Sequence, residues 1–399
     1  MNRCLTSLFL AVSFFPGLDT LQSQEAEPKT PHTKGGIYDR PYIGRVGGTT
    51  AIGGYAEMNS NFDRVEGVSE GISFEARRFN IFLYSAISER VKLTSELEFE
   101  HGTEEIALET ALVDVLFNTA FNLRAGILLS PLGRFNIAHD SPRYDIIERP
   151  LVSTRIIPAT LSEVGAGFFG ALYPSSYDRV SYEIYAVNGL ADGVVGGDGA
   201  GTRIPAGKSE EAFAEDNNGS PALTGRLAWN PRFGGEIALS GHTGNYNTYK
   251  LEGAMVDDRR RLTIVAVDAE HKTRRFSFRG EAAIAKIDVQ QSLQELFAEE
   301  QRGFYAEAGY TLAHGQIIGF ENAKFNAIAR LDYVDLNVGR RRLTRENIGD
   351  ETTRLTVGFA FRPDSDAVIK VNYAREWHYD PLNNKVNSMH FQVGVATYF

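Results

Sequence analysis

The chain has 399 residues, of which 43% are hydrophobic and 23% charged, with a formal net charge of −10 and a single cysteine. That balance excludes a disordered chain and a basic nucleic-acid binder. With 39 Gly, 17 Tyr and 25 Phe against 4 Met and 2 Trp, residue usage leans toward strands and turns.

From the first residue, a basic start at Arg3 leads into an apolar stretch, Leu5 to Phe15, then Pro16, Gly17 and the polar run Gln22 to Glu27. This is the layout of a secretory signal peptide, residues 1–23, because about 11 apolar residues fall short of the roughly 18 to 20 that cross a bilayer as a helix. Cys4 precedes the apolar stretch and would leave with the peptide. Without disulfides, the exported chain must rely on a sizeable core or on a sheet closed on itself. Removing Arg3 and Asp19 leaves the charge at −10. No later segment is apolar for long enough to be a transmembrane helix, so any crossing is by strands.

Residues 24–47 read as a polar periplasmic segment with Pro28, Pro31 and Pro41. From residue 48 on, period-two alternation dominates. In Val91 to Glu100, the apolar Val91, Leu93, Leu97 and Phe99 alternate with Lys92, Thr94, Glu96, Glu98 and Glu100. Strands of soluble sandwiches run about 5 to 6 residues, whereas a tilted strand crossing a bilayer needs about 9 to 11, the length found here. Strands are predicted near 48–59, 74–87, 91–101, 108–118, 121–130, 164–173, 179–189, 222–230, 233–243, 261–271, 274–287, 303–312, 324–337, 352–362, 367–378 and 387–399. Short connections such as Ser88 to Arg90, Asn118 to Ala120, Pro174 to Asp178, Asn230 to Arg232 and Pro363 to Asp366 alternate with mostly longer ones. Only His314 to Asn322 is longer than that pattern wants. Trp229 and Trp377 fall at strand ends, where interfacial girdles lie. The predicted fold is therefore all-β: a transmembrane antiparallel β-barrel of about 16 strands over residues 48–399, with long extracellular loops and short periplasmic turns.

The run Met389 to Phe399 resembles the terminal strand of bacterial outer-membrane proteins, which implies recognition by the barrel-assembly machinery. Leu123 to Asn136, then Glu148-Arg149-Pro150 and Ile157-Pro158, resemble the phosphate- and polyphosphate-selective porin family (the O and P type). There, a strand of this kind runs into a long loop opened by a Pro-x-Gly turn. Arg77-Arg78-Phe79, Ala329 to Tyr333 and Lys370 to Tyr373 are similar too. The resemblance implies a 16-stranded water-filled barrel, often a homotrimer, in the outer membrane of a diderm bacterium, in contact with lipid and lipopolysaccharide. It implies an inward-folding constriction loop near 131–163.

Strand parity sends Arg78, Lys92, Arg124, Arg226, Arg279, Arg330, Arg354 and Lys370 inward. The same parity sends in Glu96, Glu98, Glu100, Asp114, Glu183, Glu236, Glu281, Glu307 and Asp332. The two sets nearly balance, which suits a general porin better than strong anion selection, since an anion path needs compensating cations along it. In the long loop, Arg134, Arg143, Arg149 and Arg155 stand against Asp140, Asp145, Glu148 and Glu163. These arginines either set pore size and ion preference or pair with neighbouring carboxylates and hold the loop.

Gly165 to Gly170 matches GxGxxG, but no helix starts at the glycines, so they fit a strand closely approached by the inward loop and no cofactor is expected. His139-Asp140 lacks further ligands, and no metal is expected. Ser292 to Glu295 is a capping box for a short helix reaching about Glu300. Arg340-Arg341-Arg342 and Asp257 to Arg261 lie on outer loops, and 190–221 reads as a flexible acidic loop. The expected function is passive diffusion of small hydrophilic solutes or ions, with no enzymatic chemistry. A phosphate or polyphosphate channel and a closed structural or adhesive barrel are the alternatives. A barrel lipase is disfavoured because no Ser/His/Asp set assembles.

Overall fold

The computed structural model describes residues 29–45, 48–197, 201–340, 345–346 and 348–399. The predicted signal peptide and the Arg341-Arg342 pair lie outside them. The strands are β1 Thr50–Val65, β2 Ile72–Ala86, β3 Val91–Glu100, β4 Glu105–Leu116, β5 Asn122–Leu129, β6 Ser162–Leu172, β7 Arg179–Val187 and β8 Ala222–Asn230. They continue as β9 Glu236–Asn245, β10 Arg261–Lys272, β11 Phe276–Ile287, β12 Glu300–Ile317, β13 Phe320–Asp335, β14 Glu351–Arg362, β15 Ala367–Tyr379 and β16 Lys385–Tyr398. Each pairs antiparallel with its chain neighbours, and β1 pairs with β16, closing a 16-stranded barrel. A separate two-residue hairpin, Lys250–Leu251 with Ala254–Met255, decorates one outer loop.

Alternation dictates which side faces in. Val265, Val267, Leu355, Val357, Phe359, Ile369, Val371 and Tyr373 stand exposed on the outer wall. The residues between them, such as Ala266, Thr356, Lys370 and Asn372, are buried inside. An apolar belt of this kind requires hydrocarbon around it, so the barrel spans a membrane by strands. No helix among the described residues is long and apolar enough to do so.

Register shifts break the alternation at four points, two between β12 and β13 and two that each leave an extra charged residue. Opposite Glu57 and Met58 of β1 stand Arg78 and Ala76, leaving Arg77 as an extra residue in β2. Opposite Glu96 and Leu97 of β3 stand Thr110 and Leu108, leaving Glu109 extra in β4. A bulge lets two successive side chains share a face, and Arg77 and Glu109 both turn into the lumen.

Two local expectations are corrected. The segment His314 to Asn322 is no loop: β12 and β13 pair out to Ile317 and Phe320 around a two-residue turn. Its residues Ile318 and Gly319 both have positive φ, 50° and 86°, as a type I′ turn requires. The predicted helix at 292–300 is a run of turns, because Leu293 and Phe297 fold down onto an apolar cluster.

The seam between β1 and β16 ends in a tight contact at Gly54. Its N–H donates to the Phe399 carbonyl at 3.3 Å and its carbonyl accepts from the Phe399 N–H at 3.0 Å. A Cβ on Gly54 would lie 2.0 Å from the Asn80 carbonyl oxygen and 2.5 Å from the Phe399 ring, a ring that stacks on Phe79 at 5.6 Å. Gly54→Val should therefore destabilise the barrel by about 1–3 kcal/mol, the range for overpacking. A thermal midpoint in detergent equal to that of the unmodified protein would show that the seam tolerates a side chain.

Candidate channel lumen and constriction

Between β5 and β6 the chain crosses the barrel interior. Asn136 ties the base of this loop: its amide donates to the Ser130 carbonyl at 2.7 Å and its side-chain oxygen accepts from the Leu161 N–H at 2.7 Å. The loop then lends its backbone donors to inward wall acceptors. Arg134 and Phe135 N–H both reach Glu281, Ile147 N–H reaches Asn372, and Leu151 N–H reaches Asp332. Short helices, Arg134–Ile137 and Leu151–Arg155, and a 3-10 turn, Ser141–Arg143, take up the remaining length.

Three loop carboxylates are gripped by arginines. Glu148 is held by both ends of the Arg77 guanidinium at 2.9 and 3.2 Å and by Gln392. Asp145 is held by Arg362 at 2.7 Å and Asn326 at 2.9 Å. Asp140 accepts from Arg40 at 2.8 and 3.0 Å and from the Tyr398 hydroxyl at 2.8 Å. Burial alone would raise all three acids, but the adjacent guanidinium outweighs it and holds each below the usual carboxylate range.

The polar segment ahead of β1 also lies within the barrel. The Thr33 hydroxyl bonds Glu183, the Tyr38 hydroxyl reaches Asp114 at 2.5 Å, and Arg40 bridges Glu96 at 2.7 Å to Asp140. His32 stacks on Tyr38 with ring centroids 3.7 Å apart and on Phe169 at 5.4 Å. Burial, helped by nearby Arg124, pushes His32 down to about 3, so the ring is neutral at physiological pH. Arg134 and Arg143 of the loop donate to the carbonyls of Lys34 and Gly35.

Most of the inward charges expected to line water are instead buried and paired. Arg124 holds Asp114 through two bonds, 2.8 and 2.9 Å, and reaches Glu183 at 3.4 Å. Arg226 holds Asp268 at 2.6 and 2.7 Å and Glu236 at 2.9 Å. Arg78 contacts Glu57, Glu98 and Glu100; Arg330 contacts Asp332. Lys370 donates to the backbone and hydroxyl oxygens of Ser141 at 2.9 and 3.0 Å. Among the loop arginines, Arg134 pairs with Glu236 and Glu270, Arg143 lies near Asp140, and Arg155 donates to the Thr352 hydroxyl. Arg149 alone of the four has no ion pair or side-chain hydrogen bond among the described residues, and one of its terminal nitrogens is buried without an acceptor.

Arg77, Glu109 and the lead-in residues Thr33, Tyr38 and Arg40 join the interior without having been expected there. A strict period-two count misplaces the first two, and only the doubled Arg77-Arg78 hinted at the bulge. The glycine run is not approached by the loop: β-carbons on Gly165 and Gly167 would meet Val187 and Tyr185 of the neighbouring wall strand. Glu96, His139 and Asp140 converge as three candidate ligands. Arg40 already bridges the two carboxylates, and His139 bonds Glu109 at 3.2 Å.

The lumen is not polar throughout. On the β10–β13 side, its outer half is an apolar core in which Leu151, Val152, Ile156 and Ile157 of the loop pack on Ile264, Ala283, Ala285 and Val334. The 190–221 segment, expected to be flexible, sinks Leu190, Val194 and Ile204 into this core, and its Arg203 grips Asp350 at 2.8 and 3.1 Å. Beneath the core, a cavity of about 1050 Å³ opens at the periplasmic end, lined by Arg143, Lys272, Arg279, Lys324 and Arg362 among others. Deeper in lies a void of only about 10 Å³ among Glu57, Arg78, His139, Glu148, Arg149 and Lys370. That is room for about one water.

No family model matches the chain. An uncharacterized protein of Aquifex aeolicus is 25% identical over 370 residues, covering 84% of this chain and 78% of that one. Solved outer-membrane barrels share the fold, among them a channel and a porin. The outer-membrane channel DcaP of Acinetobacter baumannii superposes with a TM-score of 0.55 at 11% identity, over 88% of this chain and 97% of that one. An anion-selective porin from Comamonas acidovorans does so with a TM-score of 0.53 at 10% identity, over 88% and 99%. The barrel has the outer-membrane porin architecture.

The gripped carboxylates give the loop a defined pH response. A depressed native pKa contributes stability that is present above the unfolded value of about 4 and is lost as pH falls through the native value. Protection of the Ile147 and Leu151 amides from hydrogen exchange should thus persist at pH 4 and fail only in stronger acid. Arg77→Ala should move the failure upward in pH. Exchange that is already fast at pH 5 in the unmodified protein would contradict this anchoring.

Proposed function

We propose that the chain is a channel in the outer membrane of a diderm bacterium, passing small hydrophilic solutes and ions by diffusion. The observation that carries this reading is the periplasmic vestibule, a wide charged cavity, with a narrow charged void deeper in the barrel beside Arg149. Its lining holds seven bases, Arg143, Lys272, Arg274, Arg275, Arg279, Lys324 and Arg362, against four acids, Asp39, Asp145, Asp364 and Asp366. A surplus of cations at a low-dielectric mouth raises the local concentration of anions. This favours an anion preference, phosphate included, over a neutral pore. The anion selectivity in the name of the Comamonas structure agrees in sign. The homotrimer, contact with lipopolysaccharide and docking of the last strand on the assembly machinery belong to the same reading. The narrowness of the central void favours the second reading, a barrel closed at rest with a structural role.

Planar-bilayer recording separates the two. The channel reading expects discrete conductance steps and a reversal potential, in a salt gradient, on the anion side. Lys272→Glu combined with Lys324→Glu should move that potential toward cations. A folded barrel without conductance would leave the closed structural role, and an unmoved potential would take selectivity away from the vestibule.

A further inference from the structure

We propose that residues 29–44 are a removable strap that closes an acidic lane of the lumen, and that Arg40, its pin, thereby determines the charge preference of the passage. This rests on the channel reading above. The lane runs along β3 to β7, where Glu96, Asp114 and Glu183 face inward and Asp140 meets them from the loop. Against these four acids the wall supplies Arg124 and, opposite Asp114, Lys92, and the loop supplies Arg143 at 3.6 Å from Asp140, with Arg179 at the rim beside Thr30. The strap is complementary: between Lys29 and Gly44 it carries Lys29, Lys34 and Arg40 against Asp39.

Each acid takes one strap group. Glu183 receives the Thr33 hydroxyl, Asp114 the Tyr38 hydroxyl, and Glu96 and Asp140 share the Arg40 guanidinium, which lies 3.6 Å over the Phe82 ring. The strap pairs with no barrel strand, and its only regular structure is two 3-10 turns, Ile37–Asp39 and Pro41–Arg45. It is thus fastened by side chains: its own, and those of Arg134, Arg143 and Tyr173 reaching its carbonyls. A segment held in this way leaves without breaking the sheet. With it in place, traffic is confined to the basic side of the vestibule. With it displaced, Glu96, Asp114, Glu183 and Asp140 face water, and the lane favours cations.

The test records the full chain, Arg40→Ala and Arg40→Lys in planar bilayers under a potassium chloride gradient, with barrel folding checked by circular dichroism. Arg40→Ala should raise single-channel conductance by about twofold or more and move the reversal potential toward cations. Arg40→Lys should fall between, since an ammonium keeps the charge but cannot span two carboxylates as a fork. Conductance from Arg40→Ala where the full chain is silent would equally support the strap. Arg40→Ala that folds and conducts like the full chain, with the same reversal potential, overturns the strap while the channel stands. Silence from every folded form overturns both. Should Arg40→Ala fail to fold, Tyr38→Phe removes a single hydroxyl and should give more frequent large openings. Their absence overturns the proposal.

Discussion

Sixteen tilted strands closed on themselves enclose a bore wider than their own inward side chains can fill, and the rest of this structure follows from what occupies it. Three insertions share the space. The 130–161 loop crosses it, the 190–221 loop sinks Val194 and Ile204 onto that loop from outside, and residues 29–45 enter from the periplasmic rim. Where the insertions meet apolar wall positions, at Ile264, Ala266, Ala283 and Ala285, a dry core forms inside what would otherwise be water. Where they meet charged wall positions, ion pairs form instead. What stays open among the described residues is a wide cavity at the periplasmic end and, deeper in, a void with room for about one water.

The pairs follow a consistent logic. A buried carboxylate is costly unless a cation and further hydrogen bonds compensate it, and breaking such a pair leaves an uncompensated charge. Arginine dominates because its planar fork can satisfy two acceptors at once. Arg77 on Glu148, Arg124 on Asp114, Arg226 on Asp268 and Arg203 on Asp350 each use two nitrogens on one carboxylate. Arg40 spans two different carboxylates, one on the wall and one on the loop. It therefore joins wall, loop and strap, as Arg134 and Arg143 do from the loop side.

Alternation made the barrel legible because one residue's slip in a strand exchanges the lipid and lumen faces, so the apolar pattern fixes register strongly. Val91 to Glu100 illustrates this, with Glu96 and Glu98 inside as parity requires. The same rule misplaced Arg77 and Glu109, since a bulge doubles a face and left no trace in residue type beyond the repeated arginine at Arg77-Arg78. Pairing inside the lumen was harder still. Parity places Arg226 and Glu236 on the same side of the wall, but only the fold brings them to 2.9 Å. Arg40 gave no signal at all, for a polar segment with three prolines carries no period and its partners lie 56 and 100 residues away. The strands were recoverable from local chemistry, though not all their ends, since β1 runs on to Val65 and β12 to Ile317; the lumen was a matter of tertiary charge matching.

Width at the constriction depends on side chains more than on backbone. The loop backbone is pinned along its length, at Asn372 by Ile147, at Asp332 by Leu151 and at Arg330 by the Arg149 carbonyl. The side chains around the central void are pinned as well: Lys370 on Ser141, Arg78 on Glu57, Glu148 on Arg77 and His139 on Glu109. Arg149 is the charged member of that ring with no ion pair or side-chain hydrogen bond among the described residues. A side chain without a fixed partner rearranges faster than a loop held along its length. On the channel reading proposed above, widening of the void therefore starts at Arg149.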